Sequence, residues 1–183
     1  MALLQGLNVL LLFIYGDFMA LMLTSKANIQ QVKSGLWRTL ENVLCMLDNG
    51  RIAFVPRNFL TDLITFISCD FADVRAAIIH DVGCKYHQLI YVNLSLEQLR
   101  KCGYLYNVGN EWKCKDIPLQ FLQIKDVGFL EINKIFRQAL IACYENKVKA
   151  DVMYGAVHLN ISWLGYIFKR PKIDITKLYR EEW

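Results

Sequence analysis

The sequence predicts an α+β fold in which a small antiparallel sheet in the N-terminal half packs against several helices in the C-terminal half. Strand-like segments with a tight-turn signal occupy residues 29–60, and helical periodicity prevails over residues 73–143. The composition is that of a packed globular domain. Hydrophobic types make up 55% of the 183 residues and charged types 21%, which excludes disordered and low-complexity classes.

The strands of the predicted sheet are recognised by extended, partly alternating apolar segments. These segments cover residues 29–32, 37–47 and 51–60. Asp48, Asn49 and Gly50 join the second to the third, and an Asn-Gly pair supplies the positive φ of a tight hairpin turn. Pro56 lacks an amide hydrogen, so it predicts the end of strand pairing or a sheet edge. Residues 103–110 are rich in Gly, Asn and Tyr and predict a loop or a second hairpin.

Two later helices carry start signals. Ser95 and Gln98 form a capping-box pattern at the start of a short helix over residues 96–102. Asp126 is predicted to cap a longer amphipathic helix. Residues 150–168 fit either a helix or a strand. The apolar stripe of the longer helix consists of Phe129, Ile132, Phe136, Leu140 and Cys143.

Charge and motif content exclude several functions. The 21 Lys and Arg and 17 Asp and Glu residues are interspersed, with a net charge of +4, which predicts a solvated surface and no nucleic-acid partner. None of the six cysteines forms a CxxC pair, so we expect reduced thiols in place of a zinc ribbon. The GxSxG, HExxH, P-loop and GxGxxG motifs are all absent from the sequence.

The N-terminus is unusually apolar. We expect residues 1–18 to form an extension ahead of a single domain over residues 19–183. No basic residue precedes the apolar run and no small-residue cleavage site follows it, unlike a secretory signal. The run would span a bilayer only with Asp17 buried in lipid, at a cost of roughly 2.5 to 3.5 kcal/mol. We therefore predict packing against the domain or a partner, with membrane association as the alternative.

Asp81 is the most informative single position. In a helix over residues 73–85 it shares a stripe with Val74, Ala77 and Ile78, which turns its carboxylate toward the core. An unpaired buried carboxylate costs several kcal/mol or binds a proton, so a partner is expected. Asp81 is either a structural carboxylate or a catalytic or metal-binding one. The candidate partners are Thr61, Asp62 and His80.

His80, Cys84 and His87 form a second candidate site. Their spacing of i, i+4 and i+7 places them on one face of a continuous helix. Two imidazoles and a thiolate could hold zinc with a fourth position left for water. Gly83 weakens the helix at the point where continuity is needed. The alternative is a triplet that arises by chance.

Four sequence blocks carry a family resemblance. VPRNFLTD at residues 55–62 precedes the HD pair of His80 and Asp81, and FRQAL at residues 136–140 and MYGAV at residues 153–157 follow. Their order resembles an uncharacterised bacteriophage family of domains of unknown function, whose members read VPxGFxTD, HD, an Asp in a helix and a tyrosine-containing segment. The resemblance implies a phage origin.

The chain departs from that family pattern in three places. Asn58 replaces a glycine, residues 63–66 are Leu-Ile-Thr-Phe in place of small residues with Ser and Pro, and Asn133 stands where the family would carry Asp. Asn cannot supply the charge that holds a divalent cation. The resemblance therefore implies a phage origin more strongly than it implies catalysis.

These observations lead to different functional hypotheses. The first is a non-enzymatic virion or tail-associated protein without a cofactor, located in the virion or host cytoplasm, which contacts other phage proteins or itself through residues 1–23. The second is a metal-dependent hydrolase acting on the bacterial envelope or another host polymer, with Asp62, His80 and Asp81 as metal ligands or acid–base groups. The third is a membrane-attached lysis accessory.

Overall fold

The computed structural model describes residues 20–62, 73–144, 147–159 and 170–180 and has the predicted α+β fold. The strands are β1 (Leu21–Met22), β2 (Ile29–Lys33), β3 (Leu36–Thr39), β4 (Val43–Met46), β5 (Ile52–Val55), β6 (Leu60–Thr61), β7 (Gln88–Val92), β8 (Leu105–Val108), β9 (Glu111–Cys114) and β10 (Leu122–Asp126). The helices are α1 (Val74–Tyr86), α2 (Leu96–Lys101), α3 (Phe129–Tyr144) and α4 (Lys147–Leu159). Short 3₁₀ turns cover Leu119–Phe121 and Ile175–Lys177.

The central sheet is antiparallel, with the strand order β1-β4-β5-β7-β10. The predicted hairpin is confirmed as β4–β5, with Cys45 opposite Ala53 and Gly50 at φ +76° in the turn. A three-stranded sheet has the order β2-β3-β6, and β8 and β9 form a separate hairpin, which is one of the two alternatives predicted for residues 103–110.

The predicted segments 37–47 and 51–60 are each divided into two strands. Pairing of β5 ends at Val55, immediately before Pro56, as expected for a residue without an amide hydrogen. The chain then crosses to the smaller sheet through Asn58, whose φ is +71°. Asn tolerates this left-handed conformation better than most residues.

Strands β7 and β10 come from the second half of the chain and were missed by the sequence pattern. β7 lies between β5 and β10, where an apolar strand is buried on both faces and loses its alternation. Asp126 ends β10, and its carboxylate accepts hydrogen bonds from Gln88 Nε2 (2.8 Å) and Lys172 Nζ (2.6 Å). The predicted role of Asp126 as a helix cap is therefore wrong.

Two of the described helices, α1 and α3, contact the central sheet. α1 packs against β7 and β5, α3 packs against α1, and α4 packs against α3. Asp73 caps α1 and Ser95 with Gln98 forms the predicted capping box of α2. The predicted stripe of α3 is confirmed by its buried members Ile132, Phe136 and Leu140. The segment over residues 150–168, which fits either a helix or a strand, is helical up to Leu159 in α4. Residues 160–168 lie outside the described residues.

The first described strand, β1, lies at the edge of the central sheet. Leu21 and Met22 pair with Met46 and Cys45 of β4, and Leu23 is buried. The predicted extension over residues 1–18 lies outside the described residues. None of the helices in the described ranges combines the length and the apolar character needed to cross a bilayer.

Candidate functional site

The carboxylate of Asp81 is turned into the protein, as its helical position predicts. α1 packs against β6, and the Thr61 hydroxyl at the end of β6 donates a hydrogen bond to Asp81 Oδ2. Asp81 is 9% exposed and Thr61 is 2% exposed. Of the three candidate partners, Thr61 therefore binds the carboxylate directly.

His80 lies beside Asp81 in the interface between α1 and α3. Its Nδ1 is 3.9 Å from Asp81 Oδ1, and its Nε2 is 3.2 Å from Asn133 Oδ1. The ring also packs against Phe136, with the centroids 4.7 Å apart. His80 is 6% exposed and Asn133 is fully buried. The imidazole is thus held on both sides by polar groups in an apolar surrounding.

Cys84 follows His80 by one helical turn and brings a thiol to the same ring. Its Sγ lies 3.5 Å from His80 Nε2 and 3.7 Å from Nδ1. Cys84 is partly exposed, whereas Cys45 is completely buried. A thiol within hydrogen-bonding reach of an imidazole and open to solvent has the basic arrangement of a nucleophile and its acid–base partner.

Burial and neighbouring groups set the protonation of the pair. Burial lowers the pKa of His80, but the nearby Asp81 and Cys84 side chains outweigh this effect and raise the pKa to about 10. Burial raises the pKa of Asp81, although His80 and Thr61 act in the opposite direction. At neutral pH the imidazole therefore keeps its second proton, beside the side chains of Asp81 and Cys84.

An open pocket of about 450 Å³ lies beside this cluster. Asp81 and Cys84 line it, and His80 lies behind them, away from the lining. Asp62, the residue after β6, also lines the pocket and is exposed. The structure therefore brings the three predicted catalytic residues to one site, with Asp62 and Asp81 facing the pocket. The other lining residues are Leu36, Phe59, Leu60, Thr61, Lys85 and Arg170.

His87 does not complete the predicted metal site with His80 and Cys84. It ends α1 with φ +53°, and its backbone N–H donates to Gly83 O at 2.8 Å. The left-handed backbone takes the chain out of the helical path on which the i, i+4, i+7 spacing depends. Over the described ranges, no three His, Cys, Asp or Glu side chains are grouped so as to hold a metal ion.

The contact made by Asn133 was not predicted. The sequence marked this residue only as an Asn where the resembled family has Asp, yet its Oδ1 lies against His80. Its Nδ2 is buried and has no hydrogen-bond partner among the described residues. A polar residue between apolar positions of α3 was the available signal, since buried polar groups are normally placed to bind something.

Comparison with protein-family models, with curated proteins and with solved structures finds no match to this chain. The bacteriophage resemblance therefore stays a prediction from sequence motifs. The pocket and the His80–Cys84 pair beside it are the features of the described structure that point to a function.

Proposed function

We propose that the protein is a thiol-dependent hydrolase in which Cys84 is the nucleophile and His80 carries the proton. The observation that supports this most is the 3.5 Å distance between Cys84 Sγ and His80 Nε2, next to a pocket that Cys84 lines. The alternative predicted from sequence was a metal-dependent hydrolase. We favour the thiol because Cys84 Sγ lies beside His80 Nε2, and the metal-dependent hydrolase stays a prediction from the sequence.

The reaction requires a thiolate next to an imidazolium, which is the reactive form of Cys–His pairs. In the proposed reaction, the sulfur attacks a carbonyl carbon, the bond to the leaving group breaks, and His80 donates its proton to that group. Water then attacks the thioester, transfers a proton to His80, and releases the carboxylic acid with the thiolate restored. Atoms and electrons balance, and no oxidant or metal takes part in these steps.

The neighbours of His80 have positioning roles in this proposal. Asp81 provides the opposite charge that stabilises the imidazolium, and the Thr61 hydroxyl holds that carboxylate in place. Asn133 accepts from the Nε2 side and fixes the ring plane. Since all of these groups are buried, their electrostatic effects are screened less than they would be in water.

The substrate class in this proposal is an amide or ester of modest size. A volume of about 450 Å³ falls in the range of small-molecule pockets. Such bonds occur in the bacterial envelope and other host polymers, the targets predicted from sequence. The pocket would accommodate one short segment of such a polymer.

Alkylation of thiols tests the nucleophile without knowledge of the substrate. We expect iodoacetamide to modify Cys84 faster than the exposed Cys102 at pH 6.5, with rates measured by peptide mass spectrometry. A His80→Gln variant should lower the Cys84 rate at least about tenfold, since thiolate formation governs reactivity. The Cys102 rate in the same sample is the internal control. Equal Cys84 rates in the wild type and the variant would exclude the proposed pair.

A second candidate is the non-enzymatic virion or tail-associated component. It is favoured by the pairing of Leu21 and Met22 along the sheet edge, because these residues belong to the predicted partner-binding segment 1–23. Deletion of residues 1–18 should then abolish self-association or binding to another phage protein, as measured by light scattering. A full-length monomer whose behaviour is unchanged by the deletion would eliminate this candidate.

A further inference from the structure

Lys85, one of two cationic residues that line the pocket, is held between two aromatic rings. Lys85 Nζ lies 5.0 Å from the ring centroids of both Phe59 and Tyr86, and the side chain is partly buried. Two aromatic rings restrict the lysine stem and shield one side of the ammonium from water. Because Lys85 also lines the pocket, its ammonium group is already in place there before a ligand binds.

Lys85 forms no ion pair or hydrogen bond with any described residue. Other lysines and arginines of the fold do pair with acids, such as Lys113 with Glu41 at 2.7 Å. Asp62 and Asp81 are near enough to favour the charged form of Lys85, while burial acts against it and lowers its pKa. A partly desolvated ammonium gains more from an anionic partner than a solvated one does.

We infer that Lys85 binds a carboxylate group of the substrate, while Leu36 and Leu60 contact an apolar substituent of the same molecule. This inference rests on the proposed hydrolase and specifies its substrate class. Leu36, Leu60 and Phe59 supply an apolar wall on the same pocket. Asp62 and Asp81 also line it, and their negative charge favours a singly charged carboxylate over a doubly charged phosphate.

Equilibrium binding of three small probes tests the inference. The probes are N-acetyl-L-phenylalanine, its neutral amide and phenyl phosphate, titrated by isothermal calorimetry into the full chain. We expect the carboxylate to bind about tenfold more tightly than the amide, which corresponds to about 1.4 kcal/mol. Phenyl phosphate should bind more weakly than the carboxylate. Tightest binding of phenyl phosphate would overturn the choice of carboxylate.

Lysine variants identify the residue responsible. Lys85→Met keeps the stem against the rings, so it should bring the affinity for the carboxylate to that for the amide. Lys85→Arg should retain the preference. The matched control is Lys101→Met, which removes an exposed helical lysine paired with Glu97 and should change neither affinity. No carboxylate preference in the wild type, no binding of either compound, or a preference that survives in Lys85→Met would overturn the inference.

The Cys84→Ser variant separates this inference from the proposed function. Binding of the carboxylate through Lys85 does not require the thiol, so the preference should persist in Cys84→Ser. If Cys84 alkylation does not depend on His80 but the Lys85-dependent preference is present, the hydrolase fails and the carboxylate site stands. If Cys84 reacts as proposed but the preference is absent, the carboxylate inference alone fails.

Discussion

Gly83 of α1 faces Ile132 of α3 so closely that a Cβ built on the glycine would lie 2.9 Å from both Cγ1 and Cγ2 of Ile132. Ile132 is 1% exposed, and both Cγ atoms are attached to its branched Cβ, so the side chain has little room to move. The close approach explains why α1 tolerates a glycine and continues through it to Tyr86. It also brings Asn133, the next residue of α3, against His80.

The Gly83→Ala variant should be less stable than the wild type. Overpacking costs about 1–3 kcal/mol, which exceeds the gain of about 1 kcal/mol in helix propensity. In an Ile132→Ala background, the same change should become favourable, because the clash is removed. Urea unfolding of the four proteins of this cycle gives the coupling energy. Gly155→Ala, at a helical glycine where an added Cβ would meet no described atom within 4 Å, should stabilise the protein. Equal effects of Gly83→Ala in both backgrounds would contradict this packing.

The stability that His80 contributes should decrease as the pH rises. Its pKa is about 10 in the folded protein and about 6.5 in an unfolded chain, so its contribution is complete below pH 6.5 and is lost as the pH passes through 10. The stability difference between the wild type and His80→Gln should therefore shrink over this window. The measurement is the free energy of unfolding in urea at several pH values. A stability difference between the two proteins that stays constant or grows with pH would contradict the raised pKa of His80.

His87 provides a control of opposite sign. Burial and the charges of Arg170 and Lys172 lower its pKa, so protonation opposes folding. The wild type should therefore gain stability relative to His87→Gln as the pH rises toward about 6.5, the ordinary value for histidine. A loss of stability relative to His87→Gln over the same interval would contradict the lowered pKa of His87.

The Thr61→Val variant should lose about 1–3 kcal/mol, since the Asp81 carboxylate would remain buried without its hydroxyl donor. The effect should be smaller in an Asp81→Asn background, where the group that loses the hydroxyl donor is neutral. Thr176→Val is the matched control because Thr176 also donates to an aspartate, Asp174, but on the surface. Thermal unfolding followed by circular dichroism measures all of these variants. Equal losses at Thr61 and Thr176 would argue against a special environment at Asp81.

The Asn42→Ala variant should lose about 2–3 kcal/mol, because a buried side chain with three hydrogen bonds is removed. Asn42 Oδ1 accepts from Arg57 N at 2.8 Å, and its Nδ2 donates to Cys114 O and Asp116 Oδ1 at 3.2 and 3.1 Å. The exposed Asn107 of β8 is the control, and its change to alanine should have an effect within about 0.5 kcal/mol. Chemical denaturation provides the comparison, and similar losses at both positions would refute this role of Asn42.

Local sequence signals predicted much of the fold. The β4–β5 hairpin, the capping box at Ser95 and the inward-facing Asp81 depend on residues that are close in sequence, and all are found in the structure. β7 was missed because its burial on both faces depends on β5 and β10, which are distant along the chain. The predicted zinc site of His80, Cys84 and His87 assumed a helical path through His87, but the helix ends there in a left-handed turn.

The amino-acid order by itself determined the α+β class, the hairpin turn and the burial of an acidic side chain, because propensity, turn chemistry and helical periodicity act over a few residues. Only the tertiary structure decided which groups meet that acid. Thr61 reaches it from β6, and Asn133 reaches His80 from α3, across sequence separations of 20 and 53 residues. Helix packing sets such contacts through the shapes of both surfaces, which no local pattern encodes.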